Sequence, residues 1–349
     1  LTVLVSNGQA LFTACKLKVF DLLRDEAPLR ALEVAVKTNT PVCGIGRLLD
    51  VCAALGLLQK TERGYRNTEV ADLHLVSHGE YSLHGFVLHN DSHAWNLFTH
   101  LEIAIREGAT QNHGGLGEKV GDPFQGLHDR SKDAQLQFMW AMHGLAKLTA
   151  RQVATALDLS PFTSACDLGG CTGALAHELA QDYPRLKVTV FDLPEVIEHV
   201  ACFQPEGRQA ERVSFVPGDF FKDSLPAADL YILSRILHTW PEDQVHHLLS
   251  RISSRCKPGS GLLVADTVLD DLAPGEARGA RRGPLQALSM LVQGEGGLRS
   301  LAGYRGLLEQ HGFRDVRAAQ AGDTLHVFLG TRAASRGPQE ATGPPAPTR

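Results

Sequence analysis

Ala165-Cys166-Asp167-Leu168-Gly169-Gly170-Cys171-Thr172-Gly173-Ala174-Leu175 is the stretch that decides the fold. A short apolar run stops at an acid and a cluster of glycines, and a helix-forming run, Ala174 to Ala180, follows at once. Strand, tight turn and helix in that order seat nucleotide-type cofactors in open α/β sheets. The glycines permit a sharp turn and a close backbone approach to a ligand. A dinucleotide fingerprint needs G-x-G-x-x-G, but Cys171 stands at the position of the central glycine. Asp167, placed before the glycines, would repel a pyrophosphate and attract a cation. That favours S-adenosylmethionine, whose sulfonium and amino groups are positive. Asp192 lies about twenty residues further on, where a ribose-binding acid belongs in either ligand class.

Working outward, strands alternate with helices from 163 to 330. The strand candidates are 164–168, 187–192, 212–217, 228–234, 261–267, 313–319 and 324–329. Intervening helices imply an α/β fold with a Rossmann-like, mostly parallel sheet covered on both faces. Only Gly322-Asp323 separates the last two candidates. A parallel crossover needs a dozen or more residues, so the last strand is expected to be antiparallel.

The N-terminal part reads as helices followed by a hairpin. An apolar stripe (Leu11, Phe12, Cys15, Val19, Leu22, Leu23) predicts a helix over about 6–24. Thr40-Pro41 reads as an N-cap followed by proline at the first helical position, and Gly56 as the stop. Residues 57–61 and 65–68 around Glu62-Arg63-Gly64 suggest the hairpin, so that the unit resembles a winged helix. DNA binding and pairing with a second copy are both open to such a unit. Its last helix is apolar and offers few basic residues to phosphate, which favours pairing. Residues 71–107 read as mostly helical, 108–122 as a loop and 132–157 as a long helix carrying Phe138, Met139, Met142 and Leu145. The tail from Ala333 has little to bury and is expected to be disordered.

Bulk properties narrow the class. The chain has 349 residues, 43% hydrophobic and 21% charged, with a net charge of -5. This gives no global pull toward nucleic acid, and no run of about twenty apolar residues marks a membrane span. The sequence shows no charged, then apolar, then small-residue pattern of a leader, so secretion is not expected. The seven cysteines, scattered and partly inside apolar runs, read as reduced residues of a cytoplasmic protein. Among sixteen histidines, His89 with His93 and the adjacent His246-His247 raise a metal question, but neither pair has further ligands nearby in sequence. No metal is expected.

Further chemistry gathers at the ends of the strand candidates, where ligands bind in such sheets. Gly218-Asp219-Phe220-Phe221 offers an acid for an adenine amino group and aromatics to cover the ring. Arg235 and His238 follow the fourth strand, and Asp266 ends the fifth. Asp167-Leu168-Gly169-Gly170, Phe191-Asp192-Leu193-Pro194-Glu195-Val196, Gly218-Asp219-Phe220-Phe221, Leu237-His238-x-Trp240 and Lys257-Pro258-Gly259 occur in that order. With these motifs the chain resembles the small-molecule O-methyltransferases, class I S-adenosylmethionine-dependent enzymes of the type that methylates plant phenolics and acetylserotonin. The likeness runs from the N-terminal helix to about residue 330 and includes Met290-Leu291-Val292-Gln293.

The resemblance implies a winged-helix-like dimerisation domain over 1–105 and a helical linker with pocket helices over 106–160. It also implies a methyltransferase domain over 161–332 and a tail over 333–349. Asp167, Gly169, Asp192, Leu193, Asp219, Phe220, Phe221 and Arg235 would hold S-adenosylmethionine. His238 would be the general base, with Asp266 beside it. Phe138, Met142, Trp240, Met290 and Gln293 would line the acceptor pocket. Implied partners are a small hydroxylated, aromatic acceptor, a second copy of the chain, and a fused N-terminal Maf-type nucleotide pyrophosphatase domain. The start at Leu1 rather than Met agrees with a piece of such a fusion. Three departures from the family pattern cluster at the chemistry: Thr239 for Asp after the histidine, Asp266 for Glu, and Leu298 for Glu before Arg299. Carboxylates orient the histidine, so these changes are expected to weaken the base. Cys171 in the glycine turn is expected to lower cofactor affinity. An active O-methyltransferase and a catalytically weak or inactive domain that binds cofactor or supports a fused partner are both compatible with these residues.

Overall fold

The computed structural model describes residues 2–110, 132–205, 211–269, 282–294 and 296–333. Most of the expected 108–122 loop, Glu295 and the tail beyond Ala333 lie outside these residues. The chain opens with helices Thr2–Lys16, Val19–Glu26, Ala31–Lys37 and Val42–Ala54, then hairpin strands β1 (Leu58–Thr61) and β2 (Gly64–Asn67). The single helix expected over 6–24 is two helices. Lys18 adopts a left-handed φ of 52° between them, a break that an apolar stripe does not announce. Thr40 is not the N-cap. Pro41 holds that position without a side-chain bond, while the Thr40 hydroxyl pairs with that of Thr38 at 2.9 Å. Gly56, at φ 74°, ends the helix as expected. The buried face of this unit (Val19, Phe20, Leu23, Val34, Ile45, Leu49, Cys52) forms its own core.

The stretch read as mostly helical is broken into Glu69–His74, His84–His89, a π-turn at Asn90–Ala94, Trp95–Phe98 and Leu101–Glu107. The long helix Lys132–Ala156 then crosses it. The crossing is close because two glycines face backbone. A Cβ on Gly85 would come within 2.9 Å of the Trp140 backbone, and one on Gly144 would overlap the Ser82 carbonyl.

The sheet strands are β3 (Ser164–Leu168), β4 (Lys187–Asp192), β5 (Val213–Pro217), β6 (Leu230–Ser234), β7 (Gly261–Asp266), β8 (Phe313–Ala321) and β9 (Leu325–Arg332). Their order is β5-β4-β3-β6-β7-β9-β8. Pairings from β5 to β7 are parallel, and β9 is antiparallel to both β7 and β8. The central strands are apolar throughout, as Leu230-Tyr231-Ile232-Leu233 shows, because both faces are covered. Leu175, Leu179, Val188, Val190 and Leu263 fill one face; Tyr231, Leu233, Leu248, Ile252, Tyr304 and Phe328 fill the other. Crossovers leave β3 toward β4 and return at β6 on its opposite side, which opens a crevice above the carboxyl ends of β3 and β6.

Candidate active site

That crevice is a cavity of about 1250 Å³. Its floor at β3 is the glycine turn. Gly169 has a φ of 71°, and a Cβ there would sit 2.6 Å from the Ile236 side chain; one on Gly170 would sit 2.5 Å from the Asp167 carboxylate. Neither position could take a side chain without displacing these neighbours, and both glycines line the cavity. Cys171 is also left-handed, at φ 51°, a conformation costly for a residue with a Cβ. Two neighbours hold it there. The Cys171 N–H donates to Asp192 Oδ2 at 2.7 Å, and Thr172 Oγ1 lies 2.8 Å from His143 Nδ1 on the long helix. Burial pushes the His143 imidazole down to about 4, so it is neutral in that contact. Burial also drives the Cys171 thiol above its ordinary range, so it is no thiolate.

Asp167 and Asp192 face the cavity and are both buried. Burial, then the charge of Asp192, pushes Asp167 up to about 7; its Oδ1 has no hydrogen-bond partner among the described residues. Burial pushes Asp192 up to about 6 against the pull of the Leu193 and Cys171 N–H groups. An orphaned buried oxygen beside a second acid fits a cationic ligand, and Gly169 and Gly170, without side chains, line the same cavity. The residues present therefore fit S-adenosylmethionine. Leu193, Phe220 and Arg235 also line the cavity. Arg235 has a φ of 60°, burial lowers its guanidinium, and its Nη2 reaches Thr149 Oγ1 at 3.4 Å.

Two expected cofactor residues are not brought into the cavity lining. Asp219 turns its carboxylate to Lys222 Nζ at 2.8 Å and to the Phe221 N–H at 2.8 Å, closing its own turn. Phe221 packs on Trp240 and stacks on His247, ring centroids 4.6 and 6.0 Å apart.

The acceptor side assembles as read: Phe138, Met142, Trp240, Met290 and Gln293 all line the cavity. His238 sits in a turn at Leu237–Thr239, buried, with Nδ1 2.5 Å from Asp266 Oδ1. Asp266 is fully buried and also accepts the N–H groups of Thr267 at 2.9 Å and His238 at 3.3 Å. The shorter acid thus reaches the imidazole, so its place in the chain removes no carboxylate from the histidine. Thr239 spends its hydroxyl on the Ile236 carbonyl at 2.7 Å, and Leu298 does not line the cavity.

Some lining residues escaped the sequence reading. His89 and His93, noted only as a metal question, face the cavity with rings 5.2 Å apart beside Phe138, at a π-turn of the kind that often marks functional sites. His326 and Asp323 also line it, because β9 inserts next to β7 and sets His326 opposite Asp266. No group of three or more metal-ligating side chains occurs among the described residues. No helix among them is long and apolar enough to cross a membrane.

Comparison with known proteins gives a consistent picture. A family model for the O-methyltransferase domain matches residues 98–314, and one for the O-methyltransferase dimerisation domain matches residues 4–77. A human protein named "Probable bifunctional dTTP/UTP pyrophosphatase/methyltransferase protein" is 58% identical over 94% of this chain, which spans about half (52%) of that protein's length. Acetylserotonin O-methyltransferase of Bos taurus is 40% identical, over 92% of this chain and 93% of its own. The crystal structure of human N-acetylserotonin methyltransferase in complex with SAM superposes with a TM-score of 0.87 at 38% identity, covering 95% of each chain. A mitomycin 7-O-methyltransferase superposes with a TM-score of 0.80 at 27% identity, over 94% and 95% of the two chains.

Proposed function

The chain belongs to the S-adenosylmethionine-dependent O-methyltransferases, and from that premise we propose that it methylates a hydroxyl of a small aromatic molecule with His238 as general base. One observation carries this reading: an imidazole paired with a fully buried carboxylate faces the same cavity as the acid-lined glycine turn. When bound, S-adenosylmethionine would supply an electrophilic methyl group. Asp192 would hold ribose hydroxyls, and Asp167 would answer positive charge. Asp266 fixes the proton of His238 on Nδ1 and leaves Nε2 basic toward the cavity. Nε2 then takes the acceptor's hydroxyl proton, and Asp266 stabilises the imidazolium. An imidazole titrates near cellular pH, and such a base contributes roughly 10²–10⁴-fold. Phe138, Met142 and Met290 would pack against the faces of a flat apolar ring.

We further propose that residues 1–105, a winged-helix-like unit, pair two copies of the chain, with 106–160 contributing pocket helices and 161–332 the cofactor-binding domain. A fused nucleotide pyrophosphatase domain and a cytoplasmic location complete the reading; the free cysteines agree with the latter. Thr239 and Leu298 favour a second reading, a cofactor-binding domain without turnover that supports the fused domain. An acceptor screen with isotope-labelled S-adenosylmethionine separates the two. Transfer by the wild type, abolished in His238→Ala with cofactor binding intact, supports catalysis. Equal inertness of both proteins across phenols and indoles would refute it.

A further inference from the structure

We propose that Arg299 is a positioning residue that straps the two halves of the His238–Asp266 pair together. The inference rests on His238 being the base. His238 and Asp266 come from different crossovers, so their 2.5 Å contact depends on what joins the turn after β6 to the segment leaving β7. Arg299 touches both. Its carbonyl accepts the Leu269 N–H at 3.0 Å, and its backbone bridges Val268, two residues past Asp266. Its side chain turns the other way. Nη1 donates to the carbonyl of Leu237, immediately before His238, at 3.3 Å, and Nη2 pairs with the Glu242 carboxylate at the start of helix Glu242–Arg255.

Two further contacts tighten the arrangement. The guanidinium lies 5.9 Å from the ring centre of Tyr304, whose hydroxyl donates to the Thr267 carbonyl at 3.3 Å. Gly296, three residues before Arg299, lies flush on the His238 carbonyl, and a Cβ there would overlap it. The Arg299 side chain is only 13% exposed, so its geometry is fixed by packing as well as by bonds. Leu298 brings no polar group to the imidazole. The aim of His238 therefore depends on Asp266 and on this mechanical tie. A loosened turn would still bind cofactor, because Asp167, Asp192 and the glycine turn lie on β3 and β4.

The test uses the whole chain as Arg299→Met, Arg299→Lys and Glu242→Gln. Three quantities are read: kcat against KM, affinity for S-adenosylhomocysteine, and the NMR signal of the His238 Nδ1 proton. In Arg299→Met, kcat should fall roughly ten- to a hundredfold while S-adenosylhomocysteine affinity stays within about twofold. The Nδ1 proton, protected in the wild type, should exchange and broaden, and Arg299→Lys should recover part of both losses. Glu242→Gln weakens the outer anchor, together with the Glu242 contact to His246 Nε2 at 3.4 Å on the same helix, and should broaden the same signal even if Arg299→Met fails to fold. An unchanged signal and unchanged kcat in a folded Arg299→Met would overturn the proposal, as would an unchanged signal in Glu242→Gln where the former does not fold. A wild type that shows the protected proton but no turnover would refute the proposed activity and leave the strap standing.

Discussion

Cofactor binding should tighten steeply as pH rises from 5 to 8. Without ligand, Asp167 and Asp192 are buried side by side and pushed up to about 7 and about 6. A ligand amino group beside Asp167 and ribose hydroxyls donating to Asp192 would both favour the ionised carboxylates, so binding releases their protons. Each pKa unit is worth about 1.4 kcal/mol, so at pH 5 ionising the pair costs about 2.7 for Asp167 and about 1.4 for Asp192. The upper bound is therefore about 4 kcal/mol, or roughly a thousandfold in affinity between pH 8 and pH 5. The sign follows from the raised values: protons are held by the free protein, and affinity is lost as pH falls through 7 and then 6. Calorimetry with S-adenosylhomocysteine in two buffers of unlike ionisation heat should detect about one to one and a half protons released at pH 6. Asp167→Asn should remove the upper part of the dependence. The same acids make the free fold lose stability as pH rises from about 4 to 7, since the native state then binds more protons than the unfolded chain. An affinity flat across this range, with no proton release, would show that Asp167 and Asp192 do not hold protons in the free protein.

Two other substitutions probe separate links. Asp266→Asn keeps the shape but presents an amide where His238 needs an acceptor for its Nδ1 proton; kcat should fall roughly 10³–10⁴-fold with S-adenosylhomocysteine affinity unchanged, as measured by parallel kinetics and calorimetry. Gly85→Ala and Gly144→Ala each force a methyl into backbone at the crossing of the long helix, so thermal unfolding should report about 1–3 kcal/mol lost in either. The double variant should lose less than the sum, because one parting of the helices relieves both clashes.

Much of this arrangement was legible in the sequence, for identifiable reasons. Strands buried on both faces are apolar runs, and each was located to within one to three residues at its ends. The connection Gly322-Asp323 was too short for anything but an antiparallel partner, and β9 obeys. Spacing alone says nothing of sheet order, however. That β9 lies between β7 and β8, bringing His326 opposite Asp266, follows from packing across the whole sheet. Side-chain direction was equally hidden. Asp219 read as an adenine ligand from its position after a strand, yet its local turn and Lys222 take the carboxylate. Asp266 read as too short, yet the backbone delivers it to His238. Backbone breaks at Lys18 and the π-turn at Asn90–Ala94 interrupt helices whose apolar periodicity continues across them, so periodicity alone could not place them.

In the proposed function one cavity holds an adenosyl donor, its positive charge answered by Asp167 and its ribose by Asp192, with its methyl group facing a hydroxyl beside His238. A crystal structure with bound S-adenosylhomocysteine tests it most directly. The expected complex has ribose on Asp192, the amino group toward Asp167, and the sulfur facing His238 Nε2 across a gap that fits one hydroxyl-bearing ring. A ligand bound elsewhere, or a sulfur screened from His238 by the protein, would contradict it.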